Sequence, residues 1–328
     1  MDVDAPGPSA GGPVLLTGAT GFVGGRLLAE LRRRGVQVRA GARRPAALPG
    51  LEAVRCDLDD PRSLGAALEG CAAAFYLVHA MGAGPGYERR ELKQARAFAA
   101  AAAEAGTRRV IYLGGPAPAH PSPHLRSRLA VGEVLRAGPA PALELRASMI
   151  VGHGSTSWRI VRDLATRLPI MLLPEWTRSR SQPVAIDDVV GALAGALALP
   201  PCGSRVLELP GPEALSVRQL LERVAGALGR RPRMLRVPLL SPRLSAHWLR
   251  FVSGAPSSVA EELVLGLEGD LLMTSSAAWA ELGVPAVTPF DAAVARALEA
   301  EALAPPRRLA VRAVERLAAA LSPRPRER

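Results

Sequence analysis

Short apolar runs alternate with amphipathic segments over the first half of the chain. The apolar runs predict strands at residues 13–16, 36–40, 53–56, 73–78, 110–113 and 143–146. The amphipathic segments between them predict helices at residues 24–34, 61–69, 87–105 and 122–137. Strands that alternate with helices are typical of α/β proteins with a doubly wound parallel sheet, which binds ligands at the carboxyl ends of its strands.

A glycine-rich loop directly follows the first predicted strand. Its sequence is Thr17-Gly18-Ala19-Thr20-Gly21-Phe22-Val23-Gly24. Between a strand and a helix, one glycine permits the tight turn, one lets the backbone approach a pyrophosphate, and one lets helix and strand pack closely. The helix N-terminus supplies N–H groups and a positive dipole end to the phosphates. We therefore expect this loop to bind a dinucleotide on a Rossmann domain, the alternative being a structural turn without a ligand.

The end of the second predicted strand indicates which dinucleotide fits. A carboxylate there would bind both ribose hydroxyls and repel a 2′-phosphate, but the segment carries no acid and offers Arg43 and Arg44. A guanidinium suits a phosphate dianion, so NADP(H) is favoured over NAD(H); merely solvated arginines are the alternative. Asp57 and Leu58 follow the third strand, where Asp57 can accept from the adenine amino group. Helix capping by the acids near Pro61 is the alternative there.

The regularity loosens after Ile150. A strand at residues 184–186, a helix at 187–199 and a strand at 206–209 precede a mostly helical remainder with proline breaks. The predicted organisation is a disordered N-terminus at 1–12, a Rossmann domain at 13–154, a smaller, mostly helical substrate lobe at 155–304 with elements returning to the sheet, and a basic tail at 305–328. For the weakly amphipathic tail, a docked helix, a frayed end and peripheral membrane contact stay open.

Composition excludes several functional classes. The net charge is +11, but Lys93 is the only lysine, and the arginines are not interleaved with aromatic residues, so specific nucleic-acid binding is not expected. Cys56, Cys71 and Cys202 lack CxxC spacing, so neither a disulfide framework nor a metal site is expected. The start lacks a signal-peptide pattern, and the longest apolar run, 189–202, is too short to span a bilayer. A cytoplasmic protein is predicted.

These motifs resemble the short-chain dehydrogenase/reductase superfamily in its extended and atypical branches, and most closely the NmrA-like NAD(P)H-binding proteins. The resemblance rests on TGATGFVG, the arginine after the second strand, CDLDDPRSL, FYLVHAMG (75–82), SPHLRSR (122–128) and QPVAIDDV (182–189). It covers residues 14–209 well and the later lobe loosely. It implies a small-molecule substrate and a homodimer through the two long helices. It also implies that a further set of residues lines the cofactor, the last three near the nicotinamide: Leu77, Val78, His79, Met149, Ile150 and Val151.

The chain departs from the usual Ser, Tyr and Lys of this superfamily. His124 and Arg128 fall at the Tyr and Lys positions, and Gly114-Gly115 ends the strand that should present the Ser. Because residues four apart share a helix face, His124 could act as acid or base while Arg128 holds the nicotinamide ribose. A helix-capping role for His124 is the alternative.

Three functional hypotheses follow. The first is an NADPH-dependent reductase of an apolar or quinone-like acceptor, which the complete loop and the apolar lobe favour. The second is a non-catalytic NADP(H)-binding redox sensor or assembly factor, which the missing Ser, Tyr and Lys favour. The third is a membrane-peripheral form of either, which rests on the basic tail. Quinones accept a hydride while solvent supplies protons, so the first hypothesis does not require the missing tyrosine.

Overall fold

Thirteen short strands occur in the described part of the chain. The computed structural model describes residues 12–45, 51–79, 86–168, 170–200, 202–237 and 269–303. The strands are β1 (Val14–Thr17), β2 (Val38–Ala42), β3 (Ala53–Arg55), β4 (Ala73–Tyr76), β5 (Val110–Gly114), β6 (Ala142–Ala147), β7 (Ile150–Val151), β8 (Ile170–Leu173), β9 (Arg180–Ser181), β10 (Val184–Ala185), β11 (Arg205–Leu209), β12 (Leu215–Ser216) and β13 (Arg233–Arg236).

Seven of these strands form the central sheet. Their order is β11-β6-β5-β4-β1-β2-β3, and every neighbouring pair is parallel. The chain winds one way from β1 to β3 and the other way from β4 to β11. The direction reverses between β1 and β4, which opens a crevice at their carboxyl ends. The predicted doubly wound parallel sheet is confirmed.

Helices cover both faces of the sheet. They are α1 (Phe22–Arg33), α2 (Pro61–Leu68), α3 (Tyr87–Glu104), α4 (Pro123–Ala137), α5 (Thr156–Arg167), α6 (Ile186–Gly195), α7 (Val217–Ala227), α8 (Ala277–Glu281) and α9 (Phe290–Leu303). One core cluster packs α1, α6 and α8 on one face, and another packs α2, α3 and α4 on the other face. A third cluster joins α5, α7 and α9 around the fully buried Trp158, so the region after the sheet is largely helical, as predicted.

The predicted strand boundaries lie within two residues of the observed ones, and the two-residue shifts at the second and fourth strands have local reasons. The second strand begins at Val38 because Gly35, with φ of 73°, ends α1 and the N–H of Val36 donates to the carbonyl of Leu31. The apolar Val36 therefore closes a helix instead of starting a strand. The fourth strand ends at Tyr76 because the N–H of Leu77 donates to the Thr17 hydroxyl (3.1 Å) instead of continuing the ladder.

One buried arginine fastens α6 to the sheet. Arg109, directly before β5, donates to the carbonyls of Ala196 (2.7 Å), Leu199 (2.9 Å) and Pro200 (2.6 Å), just beyond α6. The chain then enters β11, which pairs with β6 from residue 205 to residue 209. The lobe and the sheet are thus joined by hydrogen bonds as well as by apolar packing.

The two predicted terminal segments lie outside the described residues, except for Gly12. Their disorder and the amphipathic tail helix stay predictions. Among the helices that the structure describes, none combines the length and the apolar character needed to cross a membrane.

Candidate active site

The glycine loop is folded so tightly that two of its positions exclude any side chain. Gly18 has φ of 72°, and a Cβ there would lie 2.5 Å from the carbonyl oxygen of Leu77 at the end of β4. A Cβ on Gly24 would overlap the Gly18 carbonyl group, whose carbon would be only 2.8 Å away. The Gly21 N–H donates to the Gly18 carbonyl (2.9 Å), which closes the turn. The spacing of the three glycines therefore reflects backbone contacts within the loop and across to β4.

Thr17 fixes this loop against the neighbouring strand. Its hydroxyl donates to the Phe75 carbonyl (2.8 Å) and accepts from the Leu77 N–H (3.1 Å), so the ends of β1 and β4 are joined across the crevice. Gly21 precedes α1 without a capping side chain, and the first turn of α1 carries no acid. A helix start of this kind binds anions through its backbone N–H groups. The loop therefore fits a dinucleotide pyrophosphate.

A polar pocket of about 440 Å³ lies on one side of the loop. It brings together most of the residues predicted for the adenosine half of a dinucleotide. Its lining is Thr17, Gly18, Thr20, Gly41, Ala42, Arg43, Cys56, Asp57, Leu58, Asp59, Val78, His79, Arg90 and Gln94. Arg44, the next residue along the bend that follows β2, does not line it.

The acids after β3 have separate roles. Asp60 caps α2 by accepting from the backbone N–H groups of Arg62 (3.2 Å) and Ser63 (3.4 Å). Asp57 accepts from the Asp59 N–H (3.1 Å) and lines the pocket. Asp60 is therefore the residue that caps α2. The Asp57 carboxylate, in the pocket lining, can still accept a hydrogen bond from an adenine amino group.

Sequence reasoning missed an ion pair on the wall of the same pocket. Asp59 accepts from Gln94 Nε2 (3.0 Å) and from Arg90 Nε (3.1 Å). The hydrogen bond from Arg90 is the largest cause that lowers the pKa of Asp59. Arg90 and Gln94 are four residues apart on α3, so their shared face was visible in the sequence. Their partner, on a distant turn, was not.

An apolar cleft of about 420 Å³ runs from the other side of the loop into the lobe. Among the predicted residues it is lined by Gly18, Gly21, Phe22, Val23, Gly24, Leu77, His79, His124, Arg128, Met149 and Ile150. The lobe adds apolar side chains that were not predicted: Ile160, Val161, Val217, Leu220 and Leu271. Val151 faces away from the cleft into the lobe core, because neighbouring residues of a strand point to opposite sides and Ile150 takes the cleft side.

Phe22 and Arg26 connect the glycine loop to the lobe. The Arg26 guanidinium lies 4.7 Å from the centre of the Phe22 ring and donates to the carbonyl of His153 (2.5 Å). A Cβ on Gly154 would lie 3.2 Å from the same ring. The Phe22 ring, at the start of α1, is thereby held against the segment that leads into α5, on the wall of the cleft.

Two histidines on the cleft wall are neutral at neutral pH. Ser122 caps α4 by accepting from the Leu125 N–H (3.4 Å), so His124 is not the capping residue. His124 is only 8% exposed, and burial followed by the charge of Arg128 lowers its pKa to about 3. Burial, then Arg128 and His124, also lower the pKa of His79 well below its ordinary value. An imidazolium is therefore disfavoured at His124, and its role as an acid or base stays a prediction.

Arg128 is fixed against the end of β5. Its Nη2 donates to the Leu113 carbonyl (2.6 Å), and its own carbonyl accepts from the Tyr112 hydroxyl (3.0 Å). A Cβ on Gly115 would lie 3.0 Å from Leu125 Cδ2 and 3.4 Å from Arg128 Nε. The guanidinium therefore lies beside the place where the resemblance leads one to expect a serine.

Gly114 is a glycine for a different reason. A Cβ there would lie 2.7 Å from Glu144 Oε1, and a Cβ on Gly132 would lie 2.5 Å from the same carboxylate. Glu144 is 1% exposed and accepts from Arg136 Nε and Arg146 Nε, each at 2.8 Å. This buried, fully paired carboxylate is structural. Within the described residues, no cluster of three or more potential ligands could bind a metal ion.

Comparisons with known proteins agree with this geometry. A family model described as NAD(P)H-binding matches residues 18–163. The ceramide reductase of Caulobacter vibrioides is 30% identical over 238 residues, which cover 70% of this chain and 74% of that protein. Cinnamoyl-CoA reductase 1 of Oryza sativa subsp. japonica is 33% identical over 123 residues, which cover 34% and 36% of the two chains.

Solved structures show the same fold at lower identity. The triphenylmethane reductase of Citrobacter sp., complexed with NADP(H), is 20% identical with a TM-score of 0.69 over 87% of this chain and 99% of that one. A nucleoside-diphosphate-sugar epimerase from Staphylococcus aureus is 15% identical with a TM-score of 0.68 over 86% and 99%.

Proposed function

We propose that this chain, which belongs to the NAD(P)H-binding, atypical part of the short-chain dehydrogenase/reductase superfamily, is an NADPH-dependent reductase of an apolar or quinone-like acceptor. The observation that carries the proposal is the continuity of the cleft. The same cavity is lined by the glycine loop at one end and by apolar lobe residues at the other. An acceptor bound there would lie next to a cofactor bound on the loop. We also place the chain in the NmrA-like branch.

The residues of the chain would divide the work of binding. The glycine loop and the start of α1 would bind the pyrophosphate, Arg43 the 2′-phosphate, and Asp57 the adenine amino group. When bound, NADPH supplies a hydride. The apolar lobe wall would lower the local dielectric constant around the acceptor, which strengthens electrostatic interactions in the cleft. Since His124 is neutral, the proton that completes the reduction would come from water.

The apolar character of the acceptor has two supports. The lobe side of the cleft carries the apolar side chains of Ile160, Val161, Leu220 and Leu271 beside several serine and threonine hydroxyls. The relative from Caulobacter is named a ceramide reductase, and ceramide is a lipid. A cytoplasmic location, peripheral membrane contact through the tail and a dimer through α3 and α4 remain predictions from the sequence.

The test is a time course of NADPH fluorescence with the purified protein, before and after a panel of quinones and enals is added. We expect enhanced emission on binding and its decay when a suitable acceptor is present. Emission that stays enhanced with every acceptor would favour the non-catalytic redox sensor. No enhancement with either NADPH or NADH would contradict the proposal.

A further inference from the structure

We propose that Arg128 stabilises the negative charge that develops on the acceptor oxygen, in the place where the superfamily's serine would act. The inference rests on the proposed reductase function and adds a substrate class to it, namely acceptors that are reduced at a carbonyl group. It also gives Arg128 a different role from the ribose contact that the resemblance implies.

The first support is the position of the guanidinium. One N–H is committed to the Leu113 carbonyl, which anchors the group at the end of β5. Arg128 Nε is buried and has no hydrogen-bond partner among the described residues, although a guanidinium carries five N–H donors. Gly115 leaves the space that the group occupies, since its Cβ would come within 3.4 Å of Nε. The side chain is therefore held in place while part of its donor capacity stays unused.

The second support is the contrast with two other partly buried arginines nearby. Arg136 and Arg146 both donate to the carboxylate of Glu144. Arg128 forms no ion pair with any carboxylate in the described part of the chain. A partly buried cation without a counter-charge loses hydration that no carboxylate replaces, so such a cation suggests a site where an anion arrives during function.

The third support is the composition of the cleft wall. Arg128 is the only charged side chain among the described residues that line it, because His79 and His124 are neutral. In apolar surroundings a single fixed charge acts more strongly than it would in water. This arrangement is suited to a charge that appears only as the reaction proceeds.

The chemistry balances with the reactants already named. The hydride from NADPH forms a bond to the acceptor's carbon, and the electron pair of the carbonyl π bond moves to oxygen. For a quinone, the hydride instead adds to one carbonyl oxygen or to a conjugated ring carbon, and the displaced π electrons leave a phenolate-type or enolate-type charge on a carbonyl oxygen. Arg128 would donate hydrogen bonds to that oxygen, and water would then protonate it.

The test uses 4-nitrophenol as a mimic of that anion, added to the protein together with NADP⁺ so that no turnover occurs. At neutral pH, the visible absorption band of nitrophenolate reports how much of the bound probe is ionised. We expect the wild-type protein to bind the probe mainly as phenolate. Arg128→Gln should weaken phenolate binding about tenfold or more, and Arg128→Lys should retain part of it, because a charged donor is kept.

Arg126→Gln is the matched control, because Arg126 is an exposed arginine of the same helix that bonds to the Pro121 carbonyl. It should bind the phenolate as the wild type does. If Arg128→Gln does not fold, Arg128→Lys replaces it, because it keeps the positive charge but loses the planar set of guanidinium donors. Phenolate binding by that variant should fall below the wild-type level.

Two results would overturn the inference. One is a wild-type protein that does not enrich the phenolate, or an Arg128 variant that enriches it equally. The other is a variant that loses NADP⁺ affinity in parallel with the phenolate, which would support the ribose contact. Normal phenolate binding without turnover of any acceptor would instead count against the reductase function alone.

Discussion

The polar pocket and the apolar cleft meet at one glycine loop but are built differently. The pocket is formed by short segments at the ends of β1, β2, β3 and β4, together with one face of α3, and it carries several charged groups. The cleft is completed by lobe residues far along the chain, and Arg128 is the one charged group in its described lining. The comparison contrasts a charged pocket built from the ends of neighbouring strands with an apolar wall assembled from distant segments of the chain.

The largest effect is expected at the shared loop. Gly24→Ala would force a Cβ into the Gly18 carbonyl group, so both sides of the loop should be disrupted. We expect cofactor binding to be lost and the free energy of unfolding to fall by about 3 kcal/mol. Urea denaturation and NADPH fluorescence measure the two effects. Gly25→Ala is the control, because its Cβ would make only an ordinary 3.5 Å contact with the Ala19 carbonyl; equal behaviour of the two variants would refute the argument.

The apolar cleft should make stability depend on pH. An unfolded His124 takes up a proton near pH 6.5, whereas the folded residue has a pKa of about 3, so the unfolded state binds more protons between these values. Stability therefore falls as the pH falls, by about 2 kcal/mol for this residue between about pH 7 and pH 5. His124→Asn should remove that part of the fall in the free energy of unfolding, as measured by urea denaturation at the two pH values. His120→Asn, at an exposed histidine, should not; an unchanged pH dependence in His124→Asn would contradict the neutral, buried assignment.

The charged pocket should determine the choice of cofactor. Arg43→Gln is expected to weaken NADPH binding about tenfold and to leave NADH binding unchanged, because only NADPH carries the 2′-phosphate. Arg44→Gln is the matched control, since Arg44 does not line the pocket. Fluorescence titrations with both cofactors measure the ratio. A parallel loss for NADPH and NADH would show that Arg43 does not read the phosphate.

The smallest effect is expected on the lobe wall. Val161→Thr keeps the shape of the side chain but adds a hydroxyl to the apolar cleft, so KM for an apolar acceptor should rise roughly threefold while NADPH affinity stays the same. Steady-state kinetics with the best acceptor of the panel measure this. Val134→Thr, a similar half-buried valine on α4 outside the cleft, should leave KM unchanged. A change in NADPH affinity instead would place Val161 on the cofactor side.

The parts of this molecule that follow from local patterns were predictable. Strand and helix periodicity depends on neighbours in sequence, and the glycine spacing depends on a loop of eight residues, so the sheet and the loop were found. Pairs of residues distant in sequence were not found. Gly114-Gly115 suggested only a missing serine, but the structure gives each glycine its own reason, Glu144 for one and Arg128 with Leu125 for the other.

The charge state of His79 and His124 also could not be predicted from the sequence. It depends on burial and on the neighbouring Arg128, neither of which a spacing of four residues reveals. Likewise, Val36 is a residue type that favours strands, but it closes α1, because the turn at Gly35 lets its N–H donate to the carbonyl of Leu31. In each case a tertiary contact, or the geometry of one turn, decided what the local pattern left open.

The hydrogen bonds of Arg109 have a consequence for the order in which the chain can mature on the ribosome. Its three acceptors, Ala196, Leu199 and Pro200, and the last strand of the sheet, β11, are all synthesised after the lobe segment that contains α5. Until they emerge, the guanidinium beside β5 has no partners and one edge of the sheet is unpaired. The nascent nucleotide-binding half should therefore stay incompletely folded during translation. For the same reason, a fragment that ends at residue 154 should fold poorly when it is expressed alone.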